Sequence, residues 1–270
     1  MCRECGCVDG GDEHGIVHTH DGHTHSHPHP HGHGHGHDHP SHEHPHEHPH
    51  PPAAEKRTVS VRQKILSKND EQAERNRAWL KEHGVVAVNL ISSPGTGKTF
   101  LLERTLEKLR GKVKCAVITG DQRTDNDARR LMGKGAAVRQ IETLNACHLD
   151  AEQIGRLLPE VAGDGVKLLF IENVGNLVCP SAFDLGESFK IALLSTTEGE
   201  DKPVKYPTLF SSAPVAVLTK MDLVPHLEWN AAACRAALRQ VRPGVFIFEL
   251  SAKTGQGMEA WLDYLVKLAE

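Results

Sequence analysis

From residue 85 to the C-terminus, short apolar runs alternate with longer stretches of mixed polarity. The runs occupy 85–91, 114–119, 136–141, 167–172, 189–194, 215–219 and 245–250. Helical patterns separate many of them, notably 97–110, 125–134, 150–162, 228–240 and 256–269. Continuous apolar strands alternating with helices predict an α/β fold, a mostly parallel sheet covered by helices on both faces. Ahead of the first run, 61–81 has helical character, with Ile65, Leu66, Ala73, Trp79 and Leu80 as apolar contacts. Gly84 stands where a C-cap glycine would end that helix.

Ligands of such sheets bind beyond the carboxyl ends of the strands, so the residues just after each run are the informative ones. After the first run comes Ser92-Ser93-Pro94-Gly95-Thr96-Gly97-Lys98-Thr99, followed by Phe100 and a helical pattern. Glycines let backbone N–H groups turn inward around phosphates. Lys98 supplies a point charge to the β/γ oxygens, and Thr99 offers a hydroxyl to Mg²⁺. Ser92 replaces the first glycine of the usual G-x-x-x-x-G-K-[ST] pattern, and the rest of the loop, Pro94 to Phe100, predicts a nucleoside triphosphate site.

The run ending at Thr119 leads into GDQRTDNDA, where Asp121 would orient Mg²⁺ water or the attacking water and Asp125 reads as a helix N-cap. The run ending at Ile171 leads into Glu172-Asn173-Val174-Gly175. Glu172 at that strand end suits Mg²⁺ or its water, and Gly175 suits a backbone N–H to the γ-phosphate. Next, Thr219-Lys220-Met221-Asp222 is close to the N-K-x-D element that selects guanine: the Asp222 carboxylate accepts two N–H bonds from the base edge and the Lys220 stem covers its face. Thr219 in place of asparagine is expected to leave a loop-bridging bond unmade and to weaken nucleotide affinity. Ser251-Ala252-Lys253, after the last run, is the place for backbone donors to guanine O6. Four such elements at successive strand ends predict a GTPase rather than an ATPase.

Composition divides the chain. Three of the 20 histidines, His83, His148 and His226, lie beyond residue 52, and the other 17 lie between His14 and His50. A tract so poor in aliphatic residues cannot bury enough surface to offset its ordering entropy, so 8–52 is expected to be disordered, with Pro51-Pro52-Ala53-Ala54 as a linker. Neutral imidazoles interleaved with Gly and Pro suit Ni, Zn, Cu and Co. Cys2, Cys5 and Cys7 form a C-x-x-C-x-C cluster able to grip one soft or borderline metal ion, the fourth donor being the terminal amine or a tail histidine. Residues 57–270 are long enough for one packed domain. There, Cys147-His148 and Cys179 supply three further donors, which a symmetric dimer or a water would complete. A net charge of -4 argues against a nucleic-acid footprint. The N-terminus does not begin as a secretory signal and no run approaches a membrane span, which predicts a cytoplasmic protein.

The strings SSPGTGKT, GDQRTDNDA, IENVGNLVCP, FDLGE and TKMD, with the N-terminal C-x-x-C-G-C, resemble the hydrogenase nickel-incorporation GTPases, the HypB family of the SIMIBI class of P-loop GTPases. The resemblance covers essentially all of 57–270, and Ser92 looks ordinary for that family. It implies a GTP-hydrolysing metallochaperone that stores nickel and delivers it to the precursor of a [NiFe] hydrogenase large subunit. It further implies a GTP-dependent homodimer that works with a HypA-type zinc- and nickel-binding maturation factor. By motif correspondence, Cys2, Cys5 and Cys7 look like a tight Ni²⁺ site. Cys147, His148 and Cys179 look like a second site, for Zn²⁺ or Ni²⁺, at the dimer contact. Rival expectations are a urease accessory GTPase and a nickel or zinc storage protein with a vestigial nucleotide site. The triple cysteine and VGNLVCP favour the hydrogenase family.

Overall fold

The computed structural model describes residues 18–20, 23–25, 53–121, 126–143 and 146–270, with side-chain surroundings from residue 63 onward. Two three-residue strands, β1 (His18–His20) and β2 (His23–His25), pair antiparallel with His18 opposite His25. The rest of the histidine tract, Cys2, Cys5, Cys7 and the expected N-cap Asp125 lie outside the described residues.

Helix α1 (Ala53–Glu82) begins eight residues before the expected start, so Ala53-Ala54 is helix rather than linker. The physical reason is plain in AAEKRTVS: it contains good helix formers and neither Gly nor Pro. Its end matches the expectation for Gly84. With φ +63° at Gly84, the Gly84 N–H donates to Lys81 O at 3.2 Å and the Val85 N–H to Leu80 O at 2.9 Å. This paired 5→2 and 6→1 arrangement satisfies carbonyls that the helix end would otherwise strand.

All seven apolar runs are strands: β3 (Val86–Ser92), β4 (Cys115–Asp121), β5 (Ala136–Glu142), β6 (Leu168–Glu172), β7 (Phe189–Ser195), β8 (Val215–Thr219) and β9 (Phe246–Glu249). They form one sheet in the order β5-β4-β6-β3-β7-β8-β9, parallel at every pairing. The helices after α1 are α2 (Lys98–Leu109), α3 (Asn126–Leu131), α4 (Ala151–Val161), α5 (Cys179–Ala182), α6 (Lys202–Lys205), α7 (Pro207–Ser212), α8 (Ala231–Val241) and α9 (Met258–Leu268).

Successive strand residues point to opposite faces, and the core divides accordingly. Val88, Leu90, Val117, Phe170 and Leu193 join Leu102 and Leu106 of α2, Leu131 of α3 and Trp261 of α9 on one face. On the other, Ala116, Ile118 and Ile171 pack with Leu80 of α1 and Ile154 of α4, while Ala192, Leu194 and Leu218 pack with Phe210 of α7 and Leu238 of α8. The buried Trp261 indole donates to Thr105 Oγ1 at 3.0 Å, tying α9 to α2.

Strand β3 has β6 on one side and β7 on the other. From β3 the chain builds outward in both directions, which opens a crevice at the carboxyl end of β3. That is where SSPGTGKT begins.

Candidate functional site

Strand β3 ends at Ser92 and α2 starts at Lys98, so the loop between them turns over the carboxyl edge of the sheet. Gly97 caps α2 in the left-handed region (φ +96°), a conformation a side chain would resist, and the free N–H groups of the first turn face the crevice. A cavity of about 450 Å³ opens there, lined by Pro94, Gly95, Gly97, Lys98, Thr99 and Phe100. Asp121 and Asp127 line it from beyond β4, and Glu172 through Gly175 from beyond β6. Three of the strand-end motifs, those after β3, β4 and β6, therefore converge, as expected for a triphosphate with a hard cation.

Lys98 is buried, and its ammonium donates to Ser92 Oγ at 2.9 Å. Burial holds its pKa below the usual lysine value, with Glu172 pulling the other way. Ser92 thus contributes an acceptor that glycine lacks. The Thr99 hydroxyl donates to Glu172 Oε1 at 2.6 Å. Burial pushes the Glu172 carboxyl up to about 7, against the opposing pull of Thr99 and Lys98. A hydroxyl and carboxylates facing one cavity are hard-oxygen chemistry of the kind Mg²⁺ prefers, so the set Thr99, Asp121 and Glu172 fits that ion.

Gly175 approaches the phosphate loop closely. A Cβ placed there would lie 3.1 Å from both Pro94 Cα and Pro94 Cγ. A side chain there would force the segment after β6 and the loop apart by a few tenths of an ångström.

A second cavity, about 220 Å³, adjoins the first through shared Gly97 and Phe100. Thr219, Lys220 and Asp222 line it from the end of β8, and Ser251, Ala252 and Lys253 from the end of β9. Lys220 adopts the left-handed conformation (φ 59°, ψ 35°), and its Nζ donates to Gly95 O at 2.8 Å. The expectation for Thr219 is corrected here. Its hydroxyl donates to Thr96 O at 2.8 Å, so it does bridge the two loops. Thr219 is buried close enough for a one-carbon hydroxyl to span what an amide spans elsewhere.

A cluster that the sequence reading overlooked braces the phosphate loop from the end of β7. The Thr96 hydroxyl donates to Glu198 Oε1 at 2.7 Å. Lys202 Nζ donates to Ser93 Oγ and to Glu198 Oε2, each at 2.8 Å.

Cys147 and His148 precede α4, and Cys179 opens α5. One potential ligand atom from each lies within 4.8 Å of the others, and among the described residues this is the only such group of three. Cys147 Sγ and His148 Nδ1 are 3.7 Å apart. A tetrahedral ion with sulfur at about 2.3 Å holds its donors roughly 3.7 Å from each other, so a small contraction would seat one. The His148 ring stacks on Phe183 with centroids 3.8 Å apart, which fixes its plane. Cys147 and Cys179 are half-buried, whereas Cys115 and Cys234 are buried with thiols pushed up to about 12 by desolvation. The structure thus separates the half-buried cysteines of the cluster from the packing cysteines.

The family model of the CobW/HypB/UreG nucleotide-binding domain matches residues 86–249. The hydrogenase maturation factor HypB of Rhizobium leguminosarum bv. viciae is 49% identical over 212 residues, covering 78% of this chain and 71% of that relative. The chain belongs to the HypB family of P-loop GTPases. Two crystal structures are similar to it. HypB from Helicobacter pylori in complex with nickel gives a TM-score of 0.70 at 37% identity, covering 75% of this chain and 95% of that one. HypB from Archaeoglobus fulgidus gives 0.71 at 38%, covering 76% and 100%.

Within this HypB-family chain, three features escaped the sequence reading. Asp127 and Arg130 line the phosphate cavity from α3, although Asp127 sits in the quoted string GDQRTDNDA. The signal for Asp127 was its position one helical turn after a strand-end motif. The Glu198–Lys202 brace would have come from applying the strand-end rule to β7 as well. Asn173, the third, was visible as a polar residue inside a motif but carried no role of its own.

Proposed function

We propose that this HypB-family chain is a GTP-hydrolysing nickel metallochaperone for [NiFe] hydrogenase maturation. The observation that carries this reading is the position of the Cys147–His148–Cys179 cluster. Cys179 lies four residues past Gly175, on the segment that lines the phosphate cavity and rests on Pro94. A γ-phosphate that engages Gly175 would move the segment that leads to Cys179, one of the donors.

In this reading Lys98, Thr99 and the loop N–H groups hold the triphosphate, and Asp222 with 251–253 reads guanine. Mg²⁺, when bound, supplies Lewis-acid neutralisation of the phosphate charge. Asp121 orients the attacking water and Glu172 holds the cation or its water, so catalysis is chiefly positioning and electrostatics, and slow turnover suits a timer. Nickel is the cargo. Three half-buried donors leave a position open, which suits exchange with a HypA-type factor or completion by a second copy in a GTP-dependent homodimer. The final acceptor is the hydrogenase large-subunit precursor, and Cys2, Cys5, Cys7 and the histidine tract serve as tight-binding and storage donors. Zn²⁺ competes for the same thiolates.

The test is Lys98→Ala. GTP hydrolysis and hydrogenase maturation should both fail while nickel still binds the full chain. Maturation that persisted without hydrolysis would favour a storage protein instead, and rescue of urease but not hydrogenase would favour the urease accessory reading.

A further inference from the structure

Asn173 follows Glu172 directly and is buried, 1% exposed. Its neighbours on the chain both touch the phosphate loop region: Glu172 accepts from Thr99, and Gly175 packs on Pro94. Between these contacts, Asn173 lines the phosphate cavity and its side chain bonds to backbone and side-chain partners. Its Oδ1 accepts the Leu149 N–H at 3.3 Å and the Val174 N–H at 3.0 Å. Leu149 is the residue after His148, and Val174 begins the run to Cys179. One amide oxygen therefore holds both chain segments that carry the metal donors.

The other end of the amide is fixed too. Asn173 Nδ2 donates to Asn89 Oδ1 at 3.3 Å, and Asn89 Nδ2 donates to Glu187 Oε1 at 3.2 Å. Glu187 Oε2 in turn accepts the Leu185 N–H at 2.7 Å. Asn89 is fully buried in the central strand β3 and Glu187 is nearly so. A buried amide whose oxygen serves two backbone donors has few alternative arrangements, because breaking either bond strands a polar group without water. Asn173 cannot move with Glu172 and leave Leu149 behind without that cost.

Resting on the switch reading above, we infer that Asn173 is the positioning residue through which the nucleotide state sets metal affinity at Cys147, His148 and Cys179. A displacement of the segment after β6 is passed through Asn173 Oδ1 to the Leu149 backbone. The separation between Cys147–His148 and Cys179 then changes, and metal affinity changes with it. By linkage, metal at the cluster alters affinity for the triphosphate by the same factor.

The test uses the full chain carrying Cys2→Ala, Cys5→Ala and Cys7→Ala, so that thiolate-to-nickel charge-transfer absorption reports the Cys147–Cys179 cluster. Nickel affinity is measured with GDP and with a non-hydrolysable GTP analogue. The expected ratio in this background is about fivefold or more. Asn173→Ala should bring the ratio, measured at saturating nucleotide, close to one while the cluster still binds nickel. A merely structural role would weaken both affinities and leave their ratio. Retention of the ratio in Asn173→Ala overturns the inference and leaves the switch reading intact, pointing instead to the close contact of Leu149 with Gly120, where a Cβ would meet Leu149 Cδ2 at 2.7 Å. A ratio of one in the parent carrying the three cysteine substitutions, with Asn173 intact, would overturn both. If Asn173→Ala does not fold, amide exchange at Leu149 in metal-free protein decides: a difference between GDP and the GTP analogue supports the inference, and identical exchange overturns it.

Discussion

Glu172 and Asp222 are the two carboxylates whose surroundings dictate the clearest consequences. Burial raises Glu172 to about 7 from an ordinary 4.5, so the folded chain holds a proton there through a window where the unfolded chain has released it. The stability this contributes is complete below about pH 4.5 and is lost as pH rises through about 7, amounting to about 3 kcal/mol at full ionisation. Urea midpoints of nucleotide-free, metal-free protein between pH 5 and 8 should therefore fall with pH, and Glu172→Gln should flatten that part of the curve. Asp222 is the residue proposed to read the base. In the smaller cavity its carboxylate suits two N–H donors of guanine, and Asp222→Asn should exchange an acceptor for a donor and shift preference from GTP toward xanthosine triphosphate by roughly a hundredfold or more in relative kcat/KM. Unchanged preference would place base reading elsewhere in that cavity.

At the scale of elements, the phosphate loop is held by more than its own glycines. Thr219 ties it to β8, and the Glu198–Lys202 pair ties Thr96 and Ser93 to the start of α6. Both residues of that pair are mostly buried, so the charge-assisted bonds are screened less than surface pairs. Losing such a bond costs about 1.5–3 kcal/mol. Lys202→Ala should accordingly raise KM for GTP by about tenfold or more and lower the unfolding midpoint, and a KM within twofold of the parent would remove the brace from the account. The contrast between what the chain discloses and what it hides is sharpest here. The strands of the seven-stranded sheet were legible because most of them are buried and therefore apolar, whereas β1 and β2 fall in the tract expected to be disordered; the nucleotide motifs were legible because each has a backbone or charge requirement. Helices α5, α6 and α7 were not, since 4, 4 and 6 residues are too few to show a helical period. The Thr219 bridge was misjudged because residue type was read without the distance it had to span. Asn173 and Asn89 were silent for a related reason: a buried amide is informative only once its partners, 24 and 84 residues away from Asn173, are known.

At the scale of the whole molecule, the candidate metal donors fall into two populations of opposite character. Seventeen histidines and three cysteines lie before residue 52, spaced by Gly, Pro and acidic residues. Cys147, His148 and Cys179 instead hang from elements of the nucleotide unit Arg57–Glu270. No described helix is long and apolar enough to cross a membrane. A donor can respond to GTP only if a packed element joins it to the phosphate cavity, because a ligand shifts an equilibrium only through interactions that differ between the two states. Removing residues 1–52 should therefore abolish most of the nickel capacity, leave basal GTP hydrolysis within about twofold, and leave a remaining site whose affinity still depends on nucleotide. Calorimetric titration of the full and shortened chains, each with GDP and with a GTP analogue, separates the contributions. The sites lost on truncation should bind equally in both nucleotide states. If instead the lost sites carry the nucleotide dependence, the histidine and cysteine tail, rather than the Cys147–His148–Cys179 cluster, is the cargo that GTP controls.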